Sequence, residues 1–374
     1  MKCNIQKNNL QTMLSKVQGF TEKKSTLPIL SHVLLKAEKN MLLITATDLH
    51  TSIQVNSPCE VLLEGSCAIN GKSFYDVVRE LPEQMLQIWV EDGSRAYVKA
   101  ENNKIKMNVM DPEEYPSVDF SDMDKGYSLD LSIFKPMIER TIFSIPTAAE
   151  SDSKYTLGGA LLISGKTNSD NGYIEMVSTD TRRLSVVRYV TDQQIDMGSG
   201  IIVPRKGLQE LKRLMDSKEE NSNILLTKDS IFFVSSDTIA TVRLIDGKFP
   251  DYQSVVAFDS FPIYTRINAQ ELLSVLKVCV AMVSDISNCV KFSFQKDKTI
   301  VFANNPDQGE VETPIPSEHS GQELEINFNP RYFIDCLSFI EGETEIRLKG
   351  PQGPCMITDM KTTESKWVIM PMRF

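Results

Sequence analysis

Apolar residues recur at the spacing of one buried helical face three times along this chain of 374 residues. The positions are Leu10, Met13, Leu14 and Val17; then Phe134, Met137, Ile138 and Thr141; then Leu272, Val275, Leu276 and Cys279. A second helical pattern follows each of these, anchored at Phe74, Leu208 and Phe333. Between the two patterns of each third lie matching strand ends: Ala46-Thr47-Asp48, Ser178-Thr179-Asp180 and Ala303-Asn304-Asn305. The period is on the order of 130 residues, the size of a domain and too long for a solenoid repeat. The pattern predicts helices over 4–20, 71–80, 132–144, 204–216, 269–283 and 329–341.

Outside these segments the apolar positions alternate. Lys104-Ile105-Lys106-Met107-Asn108-Val109 is one example, and it suits a strand with one face on a core. Comparable runs are Met41–Thr47, Ser52–Asn56, Val61–Leu63, Ile88–Val90, Ala96–Ala100, Ile231–Ser235, Thr238–Leu244, Thr299–Ala303 and Glu345–Leu348. Turn signals at Asp92-Gly93, Asn171-Gly172 and Asp246-Gly247 separate strands. Each third then holds two helices and roughly eight strands, with both helices on one face of the sheets, an α+β layout. A turn, an aromatic and a proline close the first third at Asp111–Val118 and the second at Asp246–Tyr252. These marks divide the chain into domains 1–124, 125–254 and 255–374. Three similar domains in a row point to a curved or closed assembly.

Charge complicates this picture. The chain carries 40 Lys and Arg against 50 Asp and Glu, a net charge of −10. Taken alone, that argues against a nucleic-acid binder. The six helical segments nevertheless sum to +4, which leaves −14 on the rest. Either these are ordinary solvated helix surfaces, or helices sharing a face give an acidic protein a positive lining. A sequence-blind sliding contact with DNA needs the second arrangement: phosphate attraction without readers of base edges.

Candidate chemistry is sparse. Gly71-Lys72-Ser73 has the ending of a phosphate-binding loop but lacks its first glycine, and neither G-x-S-x-G nor H-E-x-x-H occurs. Asp48 and His50 could form an acid–base pair, but the matching positions Asp180/Arg182 and Asn305/Asp307 do not keep it. Asp48 and Asp180 read better as turn-forming residues whose carboxylates hold the following backbone. The seven cysteines are scattered, none in a C-x-x-C, as expected of reduced thiols in a cytosolic protein. The three histidines lie far apart, so no zinc site is expected. No apolar run approaches 18 residues, and the first residues lack the apolar core of a signal peptide. Two segments stand out. Thr179-Asp180-Thr181-Arg182-Arg183-Leu184 places adjacent arginines beside an apolar residue, as a pocket rim or as a solvated turn. Trp367–Phe374 is an apolar strand ending in two methionines and a phenylalanine; Trp367 and Ile369 should face one way, Val368 and Met370 the other.

Taken in order, these features resemble the bacterial DNA polymerase III β subunits, the sliding clamps. The resemblance spans the whole chain. It rests on Thr26-Leu27-Pro28-Ile29-Leu30, Ala46-Thr47-Asp48-Leu49, Ser178-Thr179-Asp180 with Arg183-Leu184, and Ile202-Val203-Pro204-Arg205-Lys206-Gly207. It continues through Asp246-Gly247 with Phe249-Pro250-Asp251-Tyr252, Ala303-Asn304-Asn305-Pro306 and Val368-Ile369-Met370-Pro371-Met372-Arg373.

The resemblance implies three tandem clamp-fold domains and a head-to-tail homodimer that closes a six-domain ring around duplex DNA. It implies no catalytic activity and no cofactor or metal. It implies cytoplasmic, nucleoid-associated work beside the DNA polymerase III α subunit, a clamp loader, an exonuclease of the same complex and other proteins carrying a clamp-binding peptide. Ile105 and Met107 on one side and Met282 and Val283 on the other map to the dimer joint. Lys24, Lys72, Arg205 and Lys206 map to the DNA-facing surface. Leu157, Gly159, Thr179, Thr181, Arg182, Arg183, Leu184, Pro250, Val255, Val368, Met370, Pro371 and Met372 map to a pocket for partner peptides. The chain departs from the commonest pattern at Thr181-Arg182, where Gly-His is usual, and at Ser254, where a basic residue is usual. Two other readings are a protein-binding adaptor that does not encircle DNA and a β-rich hydrolase using Asp48 and His50.

Overall fold

The computed structural model describes residues 1–22, 26–147, 157–167, 171–192, 195–217, 221–257, 260–283, 288–362 and 365–373. The first third runs β1 (Lys2–Gln6), α1 (Lys7–Val17), β2 (His32–Glu38), β3 (Met41–Thr47), β4 (Thr51–Pro58), β5 (Glu60–Leu63), β6 (Gly65–Asn70), α2 (Gly71–Glu80), β7 (Met85–Glu91), β8 (Arg95–Ala100) and β9 (Asn103–Met110). The second runs β10 (Tyr127–Leu129), α3 (Leu131–Thr141), β11 (Gly159–Lys166), β12 (Gly172–Thr179), β13 (Arg183–Thr191), β14 (Ile201–Pro204), α4 (Arg205–Asp216), β15 (Asn223–Leu226), β16 (Ser230–Val234) and β17 (Thr238–Arg243). The third runs β18 (Ile263–Asn268), α5 (Ala269–Met282), β19 (Val290–Phe294), β20 (Lys298–Asn305), β21 (Gly309–Ser320), β22 (Leu324–Phe328), α6 (Pro330–Leu337), β23 (Glu343–Leu348), β24 (Cys355–Asp359) and β25 (Ser365–Ile369). The same order of elements thus appears three times, with one extra strand between the two helices of the first third.

The six helical segments expected from periodicity are present, with corrections at their ends. Residues 4–6 are not helical: they belong to β1, which pairs with both β5 and β7. Cys3 and Ile5 alternate inward, and that period of two overrides the helical one. The helix begins at Lys7. The last helix also stops at Leu337, short of the expected 341.

Packing divides the chain into two compact units that part the middle third: Met1–Phe134 with Lys206–Leu244, and Lys135–Arg205 with Ile245–Phe374. The first unit carries an antiparallel sheet of 13 strands in which β17 of the middle third pairs with β4 of the first. The second carries a sheet of 12 strands in which β25 of the last third pairs with β13 of the middle. Both joints are therefore backbone ladders, made between the last strand of one repeat and the fourth-position strand of the repeat before it.

In the second unit the sheet is covered on both sides. On one side Leu272, Leu276, Phe333 and Leu337 of the helices pack on Phe292, Phe328, Trp367 and Ile369. On the other, Phe249, Tyr252 and Phe261 cover Val186, Met356 and Val368. Trp367 and Ile369 face one way and Val368 the other, as the alternation requires. Each such side chain contributes about 1.5–3 kcal/mol by leaving water. In the first unit Tyr115 has the covering role; its hydroxyl donates to the carbonyls of His32 at 3.1 Å and Thr45 at 3.3 Å.

Candidate functional site

The strand ends singled out by the repeat are tight turns held by their acidic or amide side chain. Asp48 Oδ1 accepts from the backbone N–H of His50 and Thr51, Asp180 Oδ1 from Arg182 and Arg183, and Asn305 Oδ1 from Asp307. In the first two turns the next residue is left-handed: Leu49 and Thr181 both have φ near +73°. His50 serves its backbone there, since its carbonyl accepts from Arg243 N–H.

The second turn opens onto a cleft of 410 Å³ in the second unit, lined by Leu157, Thr179, Thr181, Arg183, Leu184, Pro250, Val255, Val368 and Met370, all of them sequence candidates. Leu184 lies opposite Val368 in the ladder and the two form the apolar floor. Met370 is exposed above it, held by its N–H to the Arg182 carbonyl at 2.8 Å. Phe249, Asp251 and Tyr252 also line the cleft and are not among the candidates mapped from sequence. Their signal was the aromatic-Pro-Asp-aromatic run around Pro250.

Four candidates lie outside the lining. Gly159 is buried in β11 where a Cβ would stand 2.4 Å from the Val203 carbonyl, so its smallness serves strand packing. Arg182 is exposed on the turn. Pro371 and Met372 run past the cleft, where Met372 N–H donates to the Asn327 carbonyl at 2.8 Å. Arg183 lines the cleft but its charge is engaged: the guanidinium meets Asp180 at 3.0 Å and Asp335, donates to the Phe143 carbonyl, and lies 4.4 Å from the centre of the Tyr332 ring.

The corresponding ladder of the first unit lacks that apolar floor. Ser52 stands opposite Thr241 where Leu184 meets Val368, and Arg243 takes the place of Met370. The polar pair offers an apolar ligand no floor to bury against.

The four cationic candidates divide differently from the sequence reading. Lys72 is exposed on the first turn of α2. Lys206 reaches back to Asp48, with which it forms an ion pair. Arg205 donates to the carbonyls of Ile142, at 2.5 Å, and Ile145. Lys24 lies outside the described residues. Other helical cations face inward too: Lys16 is buried against Asp237 at 2.9 Å, and Arg213 pairs with Glu210 while donating to the Ser15 and Lys16 carbonyls. The positive sum over the helices therefore overstates their free charge.

The joint candidates lie at strand edges. Ile105 and Met107 are half-buried on β9, whose residues 103–108 pair with β8 on one side only; β6 is reached at Val109 and Met110. Met282 and Val283 end α5, and Met282 lies beside the start of β21, 3.8 Å from where a Cβ on Gly309 would stand. Residues 309–316 of β21 pair with β20, and only 317–320 reach β18. Among the described residues, one side of each of these two stretches has no ladder partner. Among the described residues no group of His, Cys, Asp or Glu could hold a metal, and no helix is long and apolar enough to cross a membrane.

Comparison with known proteins gives one consistent answer. Profiles of the DNA polymerase III beta subunit match in sequence: its N-terminal domain at 1–119, central domain at 128–251 and C-terminal domain at 260–373. A beta sliding clamp of Chlamydia muridarum is 30% identical over 374 residues, covering 100% of this chain and 99% of its own. One from Proteus mirabilis is 30% identical with 100% of both chains covered. Among solved structures, a DNA polymerase sliding clamp from Caulobacter crescentus superposes with a TM-score of 0.88 at 26% identity, and a sliding clamp from Bartonella birtlesii bound to griselimycin with 0.91 at 25%; each covers 100% of both chains.

Proposed function

The chain belongs to the DNA polymerase III β-subunit family, the non-catalytic processivity clamps of DNA replication, and on that premise we propose that two copies join head to tail into a ring threaded by duplex DNA. The observation that carries this is the strand bookkeeping of the three repeats. Twice within the chain, the last strand of a repeat pairs with the fourth-position strand of the preceding one. The same two positions remain over at the ends, β9 of the first repeat and the open stretch of β21 in the third. A second copy supplies both missing partners at once, and two such joints close the assembly.

Side chains along these edges match. Ile105, Met107 and Val311 are half-buried on one face; Lys104, Lys106, Glu310 and Glu312 are exposed on the other. Antiparallel pairing with Ile105 opposite Val311 sets Lys106 against Glu310 and Lys104 against Glu312, while Met282 and Val283 help seal the apolar side. Domains over 1–124, 125–254 and 255–374 then appear six times in the ring. Lys24 and Lys72, with Arg205 and Lys206 nearer the protein's own carbonyls and carboxylates, contribute to its DNA-facing surface. Few free cations suit a contact that must slide: the topology retains the duplex, and weak screened attraction leaves it mobile.

The cleft between β13, β25 and the 249–256 segment receives apolar peptide anchors from the polymerase α subunit, the clamp loader and other partners. A partner tethered to a ring that cannot fall off DNA stays near its template at high effective concentration. The work is cytoplasmic, at the nucleoid.

Loading onto plasmid tests the ring. Protein loaded onto a nicked circle should stay bound at high salt, and linearising the circle should release it. Equal retention on both forms overturns the topological mechanism, as does a mass in solution of one chain per particle at micromolar concentration.

A further inference from the structure

Tyr252 lines two sites. One is the apolar cleft; the other is a recess of 260 Å³ that it shares with Tyr173, Glu175, Arg188, Gln253 and Lys366. Strand geometry sets the two on one face of the sheet. Lys366 lies two residues from Val368 on β25, and Arg188 four residues from Leu184 on β13, so these side chains leave the same face of the sheet. The recess therefore begins about 7 Å along the strands from the cleft floor.

Its charges do not balance. Glu175 is almost wholly buried, and its carboxylate is fully engaged, receiving the Arg188 guanidinium at 2.7 Å and the Tyr252 hydroxyl. Arg188 lies over the Tyr173 ring at 4.1 Å, which fixes its plane. Lys366 is half-buried and makes no hydrogen bond or ion pair among the described residues. Burial, and then the nearby Arg188, lower the pKa of its ammonium below the usual lysine range, and Glu175 offsets only part of this. A partly desolvated cation without a partner is unfavourable, and an anion placed beside it removes the penalty.

Resting on the peptide-cleft reading, we infer that this recess is the anion-accepting compartment of the cleft, taking the carboxylate of an acidic residue about two to four positions from the apolar anchors of the same docked segment. A single negative charge fits better than a phosphate dianion. Only Lys366 is unmatched, and the buried Glu175 carboxylate repels further negative charge.

Two fluorescent ten-residue peptides test this on the intact protein. Both carry a Leu-Phe pair; one is flanked by Asp and Glu, its twin by Asn and Gln. By polarisation at low salt the acidic peptide should bind about tenfold more tightly, the effect of one well-placed charge pair. Lys366→Gln, and independently Lys366→Met, should erase that difference and leave the amide twin's affinity unchanged; an unshifted melting midpoint reports that each variant is folded. Equal affinities for the unaltered protein, or a difference that survives both substitutions, overturn the inference. Should neither peptide bind, or should Met370→Ala leave both unaffected, the cleft reading itself fails and this inference with it.

Discussion

Leu184 and Val368 face each other across β13 and β25 with their side chains on the cleft side of the sheet, whereas Ser52 and Thr241 occupy the matching pair in the ladder of β4 and β17. Two joints of the same backbone design thus differ in what they offer a ligand. The apolar pair makes a floor that a peptide can cover, and Met370 adds an exposed, adaptable thioether above it.

Met370→Ala is accordingly expected to separate binding from folding. The side chain is exposed, so its removal should cost stability less than about 0.5 kcal/mol. Anchor contacts carry most of the energy of a short peptide, so affinity for a polymerase-derived peptide should fall about tenfold or more. Calorimetric titration against the unaltered protein reads the second effect and a thermal melt the first. Removing Met370–Phe374 altogether should abolish polymerase stimulation and leave the dimer, because the proposed joint lies at β9 and β21.

Charge reversal tests that joint. Lys104→Glu with Lys106→Glu sets two carboxylates against Glu310 and Glu312 on the opposing strand, where cross-strand charge pairs contribute about 0.2–1 kcal/mol each and like charges oppose pairing. The doubled variant should sediment as single chains at concentrations where the original is paired. Mixing it with a Glu310→Lys, Glu312→Lys chain should restore association. A variant that remains dimeric places the joint elsewhere.

Thr181 holds a conformation that a β-branched residue rarely adopts, with φ at +73° in an exposed turn. Its N–H still donates to Thr179 Oγ1 at 3.1 Å, a bond that needs no side chain at 181. Thr181→Gly should therefore relieve strain without losing a contact and stabilise the second unit by about 1 kcal/mol, or roughly 2 °C in the melting midpoint. Because Thr181 also lines the cleft, the same variant should change peptide affinity. A lowered midpoint would show that the side chain supports the turn.

What could be read from sequence was what depends on spacing. Helical faces such as Leu10, Met13, Leu14 and Val17 are all buried, and the strand from Met41 to Thr47 keeps its expected bounds, because period and burial are local properties. β1 was hidden because its two inward residues, Cys3 and Ile5, merge into the helical pattern that follows. Free charge was not legible, for a different reason. Lys16 meets Asp237 and Lys206 meets Asp48, partners more than a full repeat apart, and no window of sequence shows that a lysine on a helix has been neutralised from afar. The cleft was legible through family-like residues on its walls. The Lys366 recess was not, because its imbalance exists only once β12, β13 and β25 lie side by side.

The pairing of Asp48 with Lys206 also makes an acid-range prediction. Burial raises the Asp48 pKa, but hydrogen bonds from the Lys206 ammonium and from the Thr51 and His50 N–H groups outweigh it, and the carboxyl ends below its ordinary value of 3.8. A carboxyl whose folded pKa is depressed lends stability above its unfolded pKa and loses it as pH falls through the folded one. Asp48→Asn keeps an oxygen for the turn but removes the charge that Lys206 meets. At neutral pH it should lower stability by about 1–2 kcal/mol, the scale of one charge-assisted hydrogen bond. Below pH 3.8 the original protein loses the same contribution, so its denaturation midpoint in urea should converge with that of the variant. Lys206→Met removes the other partner and should show the same convergence. Parallel curves down to pH 2 would assign the acid sensitivity of this unit to other carboxylates.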